Sequence, residues 1–189
     1  GTTILNLGIP TGVGAIVSGT SSSISLGEAK NELIRQIEAK TTQDSDSRSS
    51  MSTDGLQFLS ALTSSDTLRV QTITPSVDKT TQTITTPIVI TATPQIDGSK
   101  QAIVLDTQQL PSKTPITVNN IDFISVVGSA RITGGAGANI AVGDNEDQFI
   151  VLGADDDELH GGGGTDTIGS LTGNDKLYGD GGNDVVYGG

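Results

Sequence analysis

Four aspartates recur at nine-residue intervals near the end of the chain, at Asp157, Asp166, Asp175 and Asp184. Each closes a six-residue segment that contains at least one glycine. Carboxylate oxygens and the carbonyl oxygens of tight glycine turns are the ligands that hard cations prefer over softer metals. The spacing therefore predicts a metal-binding repeat.

The repeat becomes clear when the chain is divided into nonapeptides from Gly134. Six units align: GGAGANIAV, GDNEDQFIV, LGADDDELH, GGGGTDTIG, SLTGNDKLY and GDGGNDVVY. The sixth position carries the acid in the last four units, and the eighth position is apolar in all six. The apolar series is Ala141, Ile150, Leu159, Ile168, Leu177 and Val186. Gly188 and Gly189 open a seventh unit, so we expect the repeat to be truncated here.

The residue types predict the local geometry of each unit. Glycine at positions one, two and four permits positive φ and a tight turn with inward carbonyls. Position eight then begins a short strand whose side chain faces a narrow interior. Two units make a coil of 18 residues, so residues 18 apart stack about 4.8 Å from each other. This pairs Asp157 with Asp175 on one edge and Asp166 with Asp184 on the other.

Stacked carboxylates predict the metal. Two unit charges 4.8 Å apart repel by roughly 0.9 kcal/mol in water and by several-fold more when partly buried. One small aliphatic per strand cannot offset this repulsion together with the entropy of ordering the chain. A divalent cation between the loops turns the repulsion into attraction. An oxygen shell favours Ca²⁺ over Zn²⁺, and Mg²⁺ is disfavoured by its tight octahedral geometry.

The repeat resembles the RTX, or hemolysin-type, calcium-binding nonapeptide, whose pattern GGxGxDxUx is that of a calcium-binding parallel β-helix. GGGGTDTIG fits at every position, and the resemblance covers about 54 of the 189 residues. It implies a C-terminal parallel β-roll, several bound Ca²⁺ ions and export by a type I secretion system.

The resemblance also implies the ligands, namely the position-six aspartates and backbone carbonyls of neighbouring turns. Asn139 and Gln148 replace the acid in the first two units, so sites there should bind more weakly. Asp155, Asp156 and Asp180 lie outside position six, where solvated acids are favoured over ligands. The full set of candidate ligand residues is Asp157, Asp175, Asp166, Asp184, Asn139, Gly153, Asp155, Gly162, Gly164, Gly173, Asp180 and Gly182.

Composition excludes several classes of protein. The net charge is −12, and −10 of it lies in residues 134–189, which hold 11 acidic residues and one basic residue. This charge argues against nucleic acid or an anionic membrane as partner. The chain has no cysteine and a single histidine, which excludes disulfides, thiolate sites and multi-histidine metal sites. No apolar run is long enough to form a transmembrane segment.

We predict a mostly β protein in two parts, a Ser/Thr-rich module at 1–126 and the β-roll at 127–189. In the module, Ser25 and Glu28 form a capping box before an amphipathic helix at about 26–40. Residues 41–54 suggest a flexible linker, and a short helix capped by Asp54 follows. Residues 67–127 suggest a small sandwich or irregular β layer, with a hairpin at Asp97-Gly98.

The sequence contains no recognisable catalytic motif, and we expect no enzymatic activity. We expect His160, the single histidine, to be a solvated surface residue. The leading hypothesis is a secreted structural or adhesive protein whose β-roll folds on calcium and supports self-assembly at a cell surface, in a matrix or in a filament. Cell-surface glycans or matrix proteins are further candidate partners. The alternative is the calcium-binding part of a larger secreted enzyme or toxin whose active domain lies elsewhere.

Overall fold

The computed structural model describes residues 5–41, 44–78 and 83–189. Fifteen strands and two helices are assigned within them. In chain order they are β1 Leu5–Gly8, β2 Val13–Gly19, β3 Ile24–Ser25, α1 Leu26–Lys40, α2 Ser45–Ala61, β4 Thr67–Val77, β5 Ile88–Ala92, β6 Lys100–Asp106, β7 Pro115–Asn119, β8 Phe123–Val127, β9 Arg131–Gly134, β10 Ile140–Val142, β11 Phe149–Val151, β12 Glu158–His160, β13 Thr167–Gly169, β14 Lys176–Tyr178 and β15 Val185–Tyr187.

The strands form two facing sheets. One has the order β1-β5-β7-β9-β11-β13-β15 and the other has the order β14-β12-β10-β8-β6-β4-β2. From β4 onward successive strands alternate between the sheets, and every pairing among them is parallel. The chain therefore winds as a parallel β-solenoid. Strands β1, β2 and β3 pair antiparallel at its N-terminal end.

The coil length is constant only in the repeat. Ile140 pairs with Glu158, which pairs with Lys176, so the register advances by 18 residues per coil as predicted. Earlier coils are irregular, since Leu68 pairs with Lys100, 32 residues later. The predicted β-roll is confirmed, and it continues a solenoid that begins well before the repeat.

The interior of the solenoid is aliphatic. Position-eight side chains stack in two rows, and the first four of them are fully buried. In one sheet Ile132, Ile150 and Ile168 lie over one another, because their strands pair in register. Burial of each such side chain contributes about 1.5–3 kcal/mol. The last coil is less protected, since Val186 is 48% exposed.

The two helices cover the outer face of the sheet that runs from β2 to β14. Helix α1 begins with the predicted capping box, in which the Ser25 hydroxyl and the Glu28 carboxylate each bond the other's backbone N–H. Phe58 of α2 stacks on Phe123 of β8 with ring centroids 5.0 Å apart. Strand β8 is consequently buried on both faces along its whole length, as is typical of parallel strands covered by helices.

Several expectations for the front segment are wrong. Residues 45–54 are not a linker, because they lie in α2, whose N-cap is Asp44 rather than Asp54; residues 42 and 43 fall outside the described part. No hairpin forms at Asp97-Gly98, because the flanking strands β5 and β6 join different sheets. The β region is a parallel solenoid rather than a sandwich. The composition boundary at 126/127 falls inside β8, and both sheets continue across it.

Within the described ranges, neither helix has the length and apolar character needed to cross a membrane.

The stacked phenylalanines give a test of this helix-on-solenoid packing. Because Phe123 is fully buried, Phe123→Ala should lower the free energy of unfolding by about 3–5 kcal/mol, measured by urea denaturation in calcium. Phe149→Ala is the matched control, since Phe149 is partly exposed and packs under Arg131. An equal loss in the two variants would contradict the packing described here.

Candidate metal centre

The turns of the repeat lie along two edges of the solenoid. The Asp157 edge consists of the turns 134–139, 152–157 and 170–175. The Asp166 edge consists of the turns 143–148, 161–166 and 179–184. Turns on one edge lie one coil apart because the register advances by 18 residues. The sequence difference between the two edges therefore determines where a cation can bind.

On both edges the position-six carboxylates form a ladder along the solenoid. One oxygen of Asp175 accepts the backbone N–H of Asp157 at 2.9 Å, and one oxygen of Asp184 accepts that of Asp166 at 2.9 Å. The predicted pairs are therefore neighbours, each linked through a backbone amide. Asp166 in turn accepts the backbone N–H of Gln148 with Oδ1 at 2.8 Å, which leaves its Oδ2 for a further contact.

The second oxygen of Asp166 is buried without a hydrogen-bond partner among the described residues, and the residue is 0% exposed. Burial raises the pKa of Asp166 to about 7, and the nearby charges of Asp184, Asp147 and Asp144 act in the same direction, against a lowering contribution from the Gln148 N–H. A buried charged oxygen without a partner is strongly unfavourable. The site therefore requires either a proton or a cation.

A backbone carbonyl oxygen lies near the second oxygen of Asp166, around the Cβ position of Gly161. A Cβ atom placed on Gly161 would lie 2.7 Å from Asp166 Oδ2 and 2.8 Å from the Gly179 carbonyl oxygen. One coil later, a Cβ on Gly179 would lie 2.6 Å from Asp184 Oδ2. Glycine at position one thus leaves a space lined by carboxylate and carbonyl oxygens. This donor set fits Ca²⁺, and Asp166, Asp184 and the Gly179 carbonyl are the groups that would hold it.

The Asp157 edge differs at position one. Leu152 and Ser170 occupy that position in its last two turns. The Ser170 hydroxyl lies 3.2 Å from Asp157 Oδ2 and 3.2 Å from the Gly153 carbonyl oxygen. The buried Asp157 carboxylate, whose pKa is raised by burial, therefore already has a neutral donor. Sequence reasoning ranked the two edges equally and missed Ser170, although its departure from the glycine pattern was visible.

Four of the five predicted turn glycines at positions two and four have the expected positive φ. Gly164 has φ +104° and Gly182 has φ +133°, and a Cβ on Gly182 would collide with the Gly164 carbonyl oxygen one coil earlier. Positive φ also occurs at Gly162 and Gly173. Gly153 does not have positive φ, but a Cβ there would collide with the Gly135 carbonyl oxygen. Close stacking of the turns therefore requires these glycines.

Asp155 and Asp180 stand where other units have glycine. Their φ values are +84° and +61°, so aspartate adopts the left-handed turn conformation there. Asp155 accepts the backbone N–H of Gly137 at 3.1 Å, and Asp180 Oδ2 lies 3.1 Å from His160 Nδ1. Their carboxylates thus contact the neighbouring coil. In the same way, the exposed Asp156 accepts the N–H of Asn174 at 2.8 Å.

His160 is packed rather than solvated as expected, since its side chain is only 17% exposed. Its ring stacks on Tyr178 with centroids 4.5 Å apart. Its two ring nitrogens face Asp180 and, at 3.6 Å, Glu158. The residue therefore links β12 to the next coil.

One further group, the Asp144 carboxylate, was not identified as important from the sequence. Asp144, at position two of the second unit, is 5% exposed, and burial raises its pKa. It accepts the backbone N–H of Gly128 at 2.7 Å and the side-chain amide of Gln148 at 2.5 Å. In the sequence Asp144 resembles the exposed Asp180, and only the fold separates them.

No group of three or more histidine, cysteine, aspartate or glutamate side chains suited to a metal ion occurs in the described part of the chain. A cation at the Asp166 edge would therefore depend on backbone carbonyls as well as carboxylates.

Comparison with known protein families agrees with this geometry. Residues 133–168 and 170–189 match the model of the RTX calcium-binding nonapeptide repeat, in four copies. The C-terminal region is thus a Ca²⁺-binding β-roll built from RTX repeats, which are typical of secreted proteins. No curated protein and no solved structure matches the chain.

The raised pKa of Asp166 predicts a pH effect without calcium. A folded-state pKa of about 7 against an ordinary value of 3.8 means that this group stabilises the fold below about pH 4 and loses that contribution as the pH rises through 7. Acidifying the calcium-free protein from pH 8 to 5.5 should therefore order the last coils. Near-UV circular dichroism of Tyr178 and Tyr187, the two tyrosines, reports on those coils.

Asp166→Asn is the control for this prediction, because it removes the titrating group and should reduce the acid-induced gain. An identical pH response in the wild type and the variant would show that Asp166 is not responsible.

Proposed function

We propose that this chain is a secreted structural or adhesive protein whose β-roll folds on meeting extracellular calcium and supports self-association at a cell surface, in a matrix or in a filament. The observation that carries the proposal is the buried, unpartnered oxygen of Asp166 beside the carbonyl of Gly179. Without a cation this group opposes folding, and with one it joins two coils. Calcium is thereby the condition for an ordered roll.

The charge distribution supports an environment-dependent fold. The net charge of −10 over residues 134–189 repels itself in the compact state, while burial in the last coil is slight. Extracellular calcium-binding modules bind in the range of about 10⁻⁴–10⁻³ M. A β-roll that binds calcium in that range stays unfolded during export and folds outside the cell. We propose that export uses a type I secretion system.

The ends of the solenoid support self-association. Strands β14 and β15 each have one partner in the described structure, and Tyr187 is 59% exposed. At the other end, β2 carries Ile16, which is 69% exposed, and its sequence has no charged residue that would block pairing. Edge strands of this kind invite pairing with another chain. A second copy is the partner we propose first, ahead of cell-surface glycans or matrix proteins.

A non-catalytic role is part of the proposal. His160, the single histidine in the sequence, is held between Tyr178, Asp180 and Glu158. These contacts serve coil-to-coil packing, and the buried carboxylates of the repeat serve the metal site.

Sedimentation velocity across a calcium titration up to about 10 mM tests this function. We expect a monomer that compacts and then grows into large species that EGTA dissolves. The double variant Asp166→Asn, Asp184→Asn should need at least about tenfold more calcium for compaction, because ligand charge sets affinity. The control variant Glu146→Gln, Asp156→Asn removes two exposed charges from the same region and should respond like the wild type.

A sedimentation profile that does not change with the calcium concentration would overturn the proposal. Compaction without growth would remove the self-association part and favour a calcium-folded portion of a larger secreted enzyme or toxin.

A further inference from the structure

The first two units of the repeat carry an amide where the later units carry an acid. Gln148 Oε1 and the Gly161 carbonyl oxygen both approach the Cβ position of Gly143. Asp166 Oδ2 and the Gly179 carbonyl oxygen approach that of Gly161 in the same way. Gln148 is therefore the structural counterpart of Asp166, one coil earlier on the same edge.

The amides supply what the carboxylates lack, which is a hydrogen-bond donor. Gln148 Nε2 donates to Asp144 Oδ1 at 2.5 Å. On the other edge, Asn139 Nδ2 donates to the carbonyl oxygen of Ile121 at 2.6 Å. Each amide thus bonds directly to an oxygen of its own edge. In the later units no side chain at position six can do so, because an ionised carboxylate only accepts.

The amide turns and the acidic turns differ in the charge of the buried position-six oxygen, and this difference sets the energetic cost of closing each turn. Asn139 Oδ1 and Gln148 Oε1 are buried without partners among the described residues, as is Asp166 Oδ2. An unpartnered neutral oxygen is unfavourable when buried, and an unpartnered charged group is more so. The amide turns can therefore close without a cation, at a cost that the surrounding packing offsets.

That packing is concentrated around the amide-bearing turns. Asn145, in the second unit, donates from its side chain to Asp44 at 2.8 Å and from its backbone to the Ser47 hydroxyl at 2.9 Å. The N-terminus of α2 is thereby fastened to the 143–148 turn. Next to the 134–139 turn, Lys100 pairs with Asp122 at 3.0 Å.

Burial of the apolar side chains then decreases toward the C-terminal end of the solenoid. Helix α2 contacts β8 and β10, and the position-eight residues Ala141 and Ile150 are fully buried. Leu177 is only partly buried, and Val186 is exposed. In the first acid-bearing coil Leu159 and Ile168 are still fully buried, so the second acid-bearing coil, 170–187, is the one with the least apolar support.

We infer that Asn139 and Gln148 are built-in replacements for calcium, which make the coils up to residue 151 independent of the metal. These coils present preformed β10 and β11 edges, onto which the calcium-dependent coils 152–189 fold in order. The inference rests on the proposed calcium-driven folding of the roll and adds where that folding starts and which residues decide it.

Amide hydrogen exchange on the full chain tests this inference. In EGTA, the backbone amides of β6, β8, β10 and β11 should be protected while those of β12 to β15 exchange freely. Calcium should slow exchange at β12 to β15 by at least about tenfold and leave the earlier strands nearly unchanged.

The double variant Asn139→Asp, Gln148→Asp converts both amide turns to the acidic pattern. In EGTA, protection at β10 and β11 should fall at least about tenfold, and calcium should restore it. The variant Asn174→Asp, Asn183→Asp adds the same charge at exposed fifth positions and should leave β10 and β11 protected in EGTA. Rescue by calcium separates a new metal requirement from simple misfolding.

The outcomes distinguish this inference from the proposed function. If wild-type β10 and β11 gain protection only with calcium, or if the Asn139→Asp, Gln148→Asp variant stays protected in EGTA, the inference is wrong while calcium-driven folding of 152–189 stands. If that variant stays unfolded in both conditions, the wild-type exchange pattern alone decides. If wild-type β12 to β15 are protected in EGTA, both the inference and the calcium-folding function fail.

Discussion

Each coil of the repeat contains 18 residues, so residues at the same position of alternate nonapeptides stack on one another along the solenoid. Asp184 lies under Asp166 and Asp175 under Asp157, each pair joined by a backbone N–H to carboxylate bond. The arrangement is self-consistent for hydrogen bonding but not for charge. Burial raises the pKa of Asp166 to about 7, so the ionised carboxylate is unfavourable in the fold unless a positive charge lies beside it. The calcium dependence that we propose for the roll follows from this constraint.

The front of the chain solves the same stacking problem without charge. Its strands β4, β6 and β8 are largely buried on both faces, by the aliphatic interior on one side and by α1 and α2 on the other. Parallel strands in such positions need nearly continuous apolar sequence, and β8, FISVV, provides it. Hydrophobic burial thus stabilises the first coils, while we propose that the last coils depend on the metal. Under this proposal one architecture contains a permanent part and a conditional part.

The repeat could be predicted because its signals are local. Glycine turns, an acid every nine residues and one inward aliphatic determine both the coil and the stacked pairs, and the structure has them where expected. Which of the two edges binds a cation more strongly was harder to predict. It depends on whether position one leaves room for a cation, as Gly161 does, or brings a hydroxyl to the carboxylate, as Ser170 does.

The front solenoid was beyond sequence reasoning for a physical reason. Its coils vary in length, so β-rich segments there carry no period, and a strand in a sandwich has the same residues as a strand in a solenoid. Helix α2 was missed because its buried face includes Ser47 and Gly55 beside Met51 and Phe58, which gives little apolar periodicity. Helix α1 lies against Gly55, where a Cβ would be in van der Waals contact with Leu33 and Ile37 at 3.4 Å. Only tertiary packing reveals that this face is buried.

The most direct test of the account is a crystal structure of the chain grown in calcium, with anomalous scattering used to locate the ions. We predict an anomalous peak on the Asp166 edge, about 2.3–2.6 Å from Asp166 Oδ2 and from the Gly179 carbonyl oxygen, and no peak between the 134–139 turn and the coil before it. An ordered roll with water alone beside Asp166 would contradict the claim that calcium neutralises this carboxylate.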